Sequence, residues 1–237
     1  MVPSLQGRCD ADAAALSVDA AAKQLIGALR ARDPQAGRAY WALRAWSRLV
    51  WQPTYASVFS VELADGVLPL AGLGWDVDVD EADVTGFAVP ASSFAASHFA
   101  GTAPGSGRAM AAEQLRALSS TLLAAVQAQL PLHPKAARRQ LADCVLAALL
   151  RVQPLARLAD DALSDIGADW LSHLGASGDS GYLAVDISPG TSCLALDRGV
   201  CCLDDRRAGG DMCNTCPRLP RAERLRRLGA QDLRNSA

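Results

Sequence analysis

Four cysteines crowd the end of this 237-residue chain: Cys201, Cys202, Cys213 and Cys216 fall within sixteen residues. Their pattern is an adjacent pair, ten residues, then Cys-x-x-Cys. Four thiolates are the number that closes a tetrahedral zinc site or a two-iron cluster. The Cys-x-x-Cys half suits both, because two intervening residues let both sulfurs face one ion across a tight turn. The adjacent pair separates them in part. Neighbouring side chains on a strand diverge, so a zinc knuckle rarely uses them. A two-iron cluster spreads its sulfur positions over two metals, which adjacent thiolates in a turn can reach. Gly209 and Gly210 supply the freedom to fold the ten-residue loop back over the site.

The remaining cysteines, Cys9, Cys144 and Cys193, are scattered. Arg8, Asp10 and Asp12 precede any apolar run, so no secretory core is expected at the N-terminus. The stretch from Cys144 to Leu150 is closed off by Asp143 and Arg151, far short of the roughly 20 residues a bilayer needs. A cytoplasmic location follows as the expectation. Thiols stay reduced there, so the cysteines point to metal or redox chemistry rather than disulfides.

Other motifs fail on inspection. Asp76, Asp78 and Asp80 imitate the start of a calcium loop, but Glu81 stands where glycine is needed and Phe87 where the closing glutamate is needed. The glycines between Gly101 and Arg108 lack the spacing and the Lys-Ser/Thr of a phosphate loop. The sequence has three histidines, His98, His133 and His173, and no His-Glu-x-x-His.

The cysteine pattern, the Pro217 that follows it and the chain length resemble the ferric siderophore reductases of the FhuF type. The resemblance implies that Cys201, Cys202, Cys213 and Cys216 hold a [2Fe-2S] cluster. It also implies that the cluster passes one electron to the Fe(III) of a ferric siderophore at the cytoplasmic face of the inner membrane. The electron donor would be a ferredoxin, a flavoprotein or a small reductant, and peripheral contact with the inner membrane is expected. Such a transfer needs no acid–base dyad. Reduction to the larger, softer Fe(II) loosens a hard oxygen cage, and iron escapes. Asp204, Asp205 and Asp211 favour a low cluster potential, while Arg206 and Arg207 oppose it. Two other readings use the same cysteines. One is a structural zinc site with a basic tail that binds nucleic acid or a partner. The other is an iron–sulfur sensor without turnover.

The elements that must position the cysteines read as α+β, mostly α-helical, with small antiparallel hairpins and a C-terminal iron–sulfur segment. Residues 1–197 form an α-rich, substrate-binding body, and 198–237 the cluster segment with its basic tail, together one compact unit. Leu25, Ile26 and Leu29 mark a helix from Asp19 to Arg32, and Asp33-Pro34 starts the next. That second helix carries Leu43, Trp46 and Val50 as a core stripe, with Pro53 expected just past its end. Trp75, Val77 and Val79 alternate with aspartates as a half-buried strand, and a turn at 81–83 leads to a second strand, Val84 to Val89. Residues 91–110 read as a mobile loop. Three helices follow, marked by Leu115 to Leu130, Leu141 to Leu150 and Ala159 to Leu174, the last closed by Gly175. A hairpin of Tyr182 to Ile187 and Cys193 to Asp197 then delivers the cysteines.

Charge is uneven. The whole chain carries −2, residues 198–237 carry +4 and the rest −6. The balance excludes a polycation that coats nucleic acid, and no nucleic-acid partner is expected. The basic tail from Arg218 to Arg234 reads either as a steering surface for anions or anionic lipid, or as a solvated helix. The substrate is expected against His98, Phe99 and Arg108 of the mobile loop, with Arg206 and Arg207 beside the cysteines. Loops on a rigid scaffold are where binding residues concentrate.

Overall fold

Among the described residues, five helices build the body, and one of them packs against three of the others. The computed structural model describes residues 7–8, 15–90, 104–188 and 190–235. Helix α1 (Val18–Arg32) starts at Ser17, whose hydroxyl accepts the Ala20 amide. Helix α2 (Arg38–Ala64) follows Gly37, which turns the chain at φ 84°. Helices α3 (Pro104–Gln127), α4 (Pro134–Ala156) and α5 (Asp160–His173) complete the body. α2 packs against α1, α3 and α4, and α5 lies against α3 and α4. Trp46 and Trp170 are fully buried and Trp75 nearly so, so the aromatic positions are core. Each such burial contributes on the order of 2–3 kcal/mol.

Pro53 does not end α2; the helix continues to Ala64. Proline has no N–H, so the carbonyl four residues back, that of Leu49, loses its helical donor. The Trp75 indole Nε1 donates to that oxygen at 3.2 Å. Thr54 keeps the next turn in place through a 2.8 Å bond from its hydroxyl to the Val50 carbonyl. A side chain from another element thus satisfies what the proline leaves open.

Helix replaces the end of the expected 91–110 loop, because α3 starts at Pro104. Arg108 then lies inside a helix and pairs with Glu62 of α2 at 2.8 Å and Asp169 of α5 at 3.1 Å. α4 is buried on several sides, as its apolar run predicts, and His133 caps it by accepting the Lys135 amide on Nδ1. At the end of α5, Gly175 adopts φ 65° and closes the helix as expected.

Two small sheets flank the helices. Strands β2 (Gly74–Asp78) and β3 (Asp83–Ala88) are antiparallel, with Trp75 opposite Phe87 and Val77 opposite Val84. A two-residue strand β1 (Gly7–Arg8) adds itself parallel to β3. The Asp78 carboxylate accepts the Asp80 and Glu81 amides, each at 3.0 Å, which makes the turn. The second hairpin joins β4 (Gly181–Ser188) and β5 (Thr191–Asp197) and rests on α4. The Tyr182 hydroxyl donates to the Leu146 carbonyl of α4 at 3.1 Å. β5 then leads into residues 198–220, which hold the clustered cysteines, and α6 (Arg221–Asn235) packs on β4.

Candidate metal centre

The cysteine segment is pinned to the body at its first residue. Arg198 points inward, its side chain only 13% exposed. Its guanidinium donates to Asp143 Oδ2 at 3.3 Å, Gln140 Oε1 at 3.2 Å and Cys213 Sγ at 3.7 Å. Asp143 is itself buried on α4 and also accepts the Ser180 hydroxyl at 2.6 Å and the Gly199 amide at 2.8 Å. Burial raises the Asp143 carboxyl above the usual carboxylate range, while these donors and the Arg198 charge oppose the rise. Gly199 must be glycine, because a Cβ there would sit 1.7 Å from the Asp179 carbonyl oxygen.

Beyond Gly199 the chain folds around its own thiols. Leu203 takes φ 61°, a left-handed conformation rare for leucine, and its amide donates to Cys201 Sγ at 3.4 Å. A 3-10 turn, Asp204–Arg206, follows. Asp204 is held between Arg44 of α2 and Arg207, each at 3.5 Å. Gly210 passes so close to the Asp204 carbonyl that a Cβ would lie 2.1 Å from it. The Cys-x-x-Cys turn closes by a 3.0 Å bond from the Cys216 amide to the Cys213 carbonyl. Arg218 bridges Asp205 at 2.8 Å and Cys201 Sγ at 3.8 Å, and Arg227 of α6 donates to the Met212 carbonyl at 3.0 Å.

The four sulfurs meet as two pairs. Cys201 Sγ lies 3.6 Å from Cys216 Sγ. Cys202 is hydrogen-bonded to Cys213, an arrangement that raises the Cys202 thiol and lowers that of Cys213, with Arg198 and Thr215 lowering Cys213 further. Two thiolates bound tetrahedrally to one metal ion at about 2.3 Å stand about 3.8 Å apart, so the Cys201–Cys216 spacing fits a shared metal. Among the described residues, no group of three or more His, Cys, Asp or Glu side chains is arranged to hold one metal ion. The two pairs together would supply the four thiolates of a [2Fe-2S] cluster.

Residues 198–218 match the family model of the FhuF 2Fe-2S C-terminal domain. The chain carries a FhuF-type iron–sulfur domain, and its cofactor is a [2Fe-2S] cluster. No solved structure matches the chain. The match begins at Arg198, the residue that locks the FhuF-type segment to α4, and ends at Arg218, the residue that bridges Asp205 and Cys201.

The other residues singled out in the sequence fare differently. Arg206 ends the 3-10 turn beside the cysteine pair and Arg207 follows it; Arg206 is exposed, and Arg207 is folded against Asp204. Arg108 belongs elsewhere. Its partner Glu62 is eighteen residues along α2 from Arg44, the helix's contact with the cysteine segment, or about 27 Å of helix axis. Its charge is paired with Glu62 and Asp169, in a helix rather than in the expected loop. His98, Phe99 and Cys9 lie outside the described residues. Cys144 is buried in α4, its thiol pushed up to about 12 by desolvation. Asp143, Gln140, Ser180 and Thr215 were not marked by any sequence signal. Each sits in an ordinary helix or loop context and acquires its role only through the fold.

Proposed function

We propose that this protein is a ferric siderophore reductase, in which Cys201, Cys202, Cys213 and Cys216 hold the cluster. The observation that carries this reading is the placement of the thiol pairs in a surface segment. Cys201, Cys202 and Cys213 are half-buried and Cys216 is buried, so one side of the centre is open to a visiting acceptor. The bound [2Fe-2S] cluster supplies single electrons at low potential. A reduced ferredoxin, a flavoprotein or a small reductant delivers one electron, and siderophore-bound Fe(III) receives it and leaves as Fe(II).

The chain's own residues have three tasks in this scheme. Arg198 and Arg218 place positive charge and N–H donors on Cys213 and Cys201, which steadies thiolate charge. The Asp143 network holds the segment rigid against α4, so that little rearrangement accompanies a change of charge. Arg206, exposed on the turn after the cysteine pair, offers N–H donors to the oxygen atoms of a chelate. The reading places the protein in the cytoplasm, with its basic tail against the inner face of the membrane. No helix among the described residues is long and apolar enough to cross a membrane.

The test is stoichiometric. Purified holoprotein is reduced anaerobically with dithionite, desalted and mixed with a panel of ferric siderophores. The expected result is reoxidation of the visible spectrum, with one Fe(II) trapped per cluster. A reduced protein that ferricyanide reoxidises but every ferric siderophore leaves untouched would favour a sensor and overturn the reading.

A further inference from the structure

An open groove of about 800 Å³ runs along the cysteine segment where it crosses the start of α2 and the connection between α3 and α4. Its walls include Ala39 and Leu43 of α2, Leu132 and His133 before α4, and Cys201 and Leu203. Its volume lies in the range of small-molecule sites, about 300–1,000 Å³, rather than that of a flat protein footprint. No Asp, Glu, Lys or Arg is among the lining residues, and the polar side chains there are Gln127 and His133.

Three features mark the groove as built rather than incidental. Pro131 and Pro134 stiffen one wall, since each ring fixes its backbone. Leu203 holds the opposite wall in a left-handed backbone conformation, a strain that persists only where the surroundings impose it, and that gathers at functional sites. The two polar groups are committed: Gln127 donates to the Leu132 carbonyl at 2.8 Å, and His133 Nδ1 accepts the Lys135 amide at 3.1 Å. A neutral imidazole that accepts on Nδ1 carries its proton on Nε2, so His133, which lines the groove, keeps one donor to offer. The wall also contains Cys201, one of the paired sulfurs. A second cavity, of about 390 Å³, reaches Thr215 and Cys193 but none of the four clustered cysteines.

We propose that this groove seats the metal chelate, with the chelate's hydrocarbon face on Leu43, Leu132 and Leu203, one acceptor oxygen on His133 Nε2 and the metal toward Cys201. The uncharged walls select chelates of little net charge, because a polyanion would lose its hydration there without gaining a partner. The inference rests on the siderophore reading and specifies where and how that substrate binds.

Redox-inert gallium(III) chelates separate binding from turnover. The probes are a linear trihydroxamate, uncharged at the metal, and a trianionic tris-catecholate, titrated calorimetrically into oxidised holoprotein. The uncharged chelate should bind at least tenfold more tightly, and its affinity should change less than twofold between 50 and 500 mM salt, on the order expected when no ion pairs are screened. Ala39 is exposed in the first turn of α2. Ala39→Trp should fill the groove and weaken binding tenfold or more with the visible spectrum unchanged. Ala39→Glu, whose carboxylate suits a helix N-terminus, should do the same by charging the wall. His133→Asn keeps a capping acceptor, removes the Nε2 donor and should weaken binding several-fold. Wild-type affinity in both Ala39 variants, or tighter and salt-sensitive binding of the trianion, would overturn the groove. If ferric siderophores still reoxidise the reduced protein in that case, the function stands and the site alone falls. If wild-type protein reduces none of them, the function itself falls.

Discussion

At the residue scale, the paired thiols decide which substitutions matter. Cys201→Ser, Cys202→Ser, Cys213→Ser and Cys216→Ser should each bleach or destabilise the cluster, read as lost visible absorption and lost iron. Cys144→Ser should leave the spectrum unaltered, because that thiol is buried in α4 and outside both pairs. Arg198 is the neighbour with most to lose. Arg198→Gln removes a positive charge from beside Cys213, so the cluster should become harder to reduce, seen as a lower midpoint potential by optical titration. It also strips Asp143 of its ionic partner, at a cost of about 3 kcal/mol, the low end for a broken buried pair because Ser180 and Gly199 still donate. Arg198→Lys should recover part of both. A potential unchanged in Arg198→Gln would assign Arg198 a packing role alone.

At the element scale, single side chains join helices to what lies beside them. Trp75→Phe keeps most of the apolar burial but leaves the Leu49 carbonyl next to Pro53 without a donor. The expected loss is about 1–3 kcal/mol, or several degrees of melting temperature by calorimetry. The β4–β5 hairpin depends on Asp179, which precedes it and receives Arg138 at 2.5 Å and Arg139 at 3.2 Å from α4. Burial alone would raise the Asp179 carboxyl, and the two arginines more than reverse this, leaving it below the usual carboxylate range. A depressed carboxyl contributes stability that is present above its unfolded pKa, about 3.9, and is lost as pH falls through the folded value. Asp179→Asn should therefore be less stable than wild type at pH 7, and in denaturant titrations the gap should begin to narrow only below about pH 4 and close once pH has fallen through the folded value.

At the scale of the whole molecule, the hydrophobic core runs from Ala21 to Ala176 and contains none of the clustered cysteines. Holoprotein should hold about two iron and two sulfide per chain. Chelation that strips the cluster should leave far-UV circular dichroism nearly unchanged while residues 198–220 gain hydrogen exchange. A global loss of helix on iron removal would mean that the cluster, and not the core, holds the body together.

Most of the local structure was legible in the chain. Helix stripes, the capping by Gly175, both hairpins and the Cys-Cys-x10-Cys-x-x-Cys spacing are set by residues within a turn or a loop of one another. The continuation of α2 past Pro53 was not legible, because the donor that permits it, Trp75, arrives from a strand on the far side of a loop. The same holds for Arg108: its sequence neighbours suggest a loop ligand, and its actual partners, Glu62 and Asp169, come from two other helices. The division of four sulfurs into two pairs, the Arg198–Asp143 lock and the groove beside Cys201 depend likewise on side chains from separate elements. The sequence alone determined which thiols crowd together and where most helix stripes and both hairpins lie, because those depend on local chemistry and periodicity. Only the tertiary structure decided which charges are spent on one another and which thiol faces an open cavity, because electrostatic pairing and packing act through space between residues far apart in the chain.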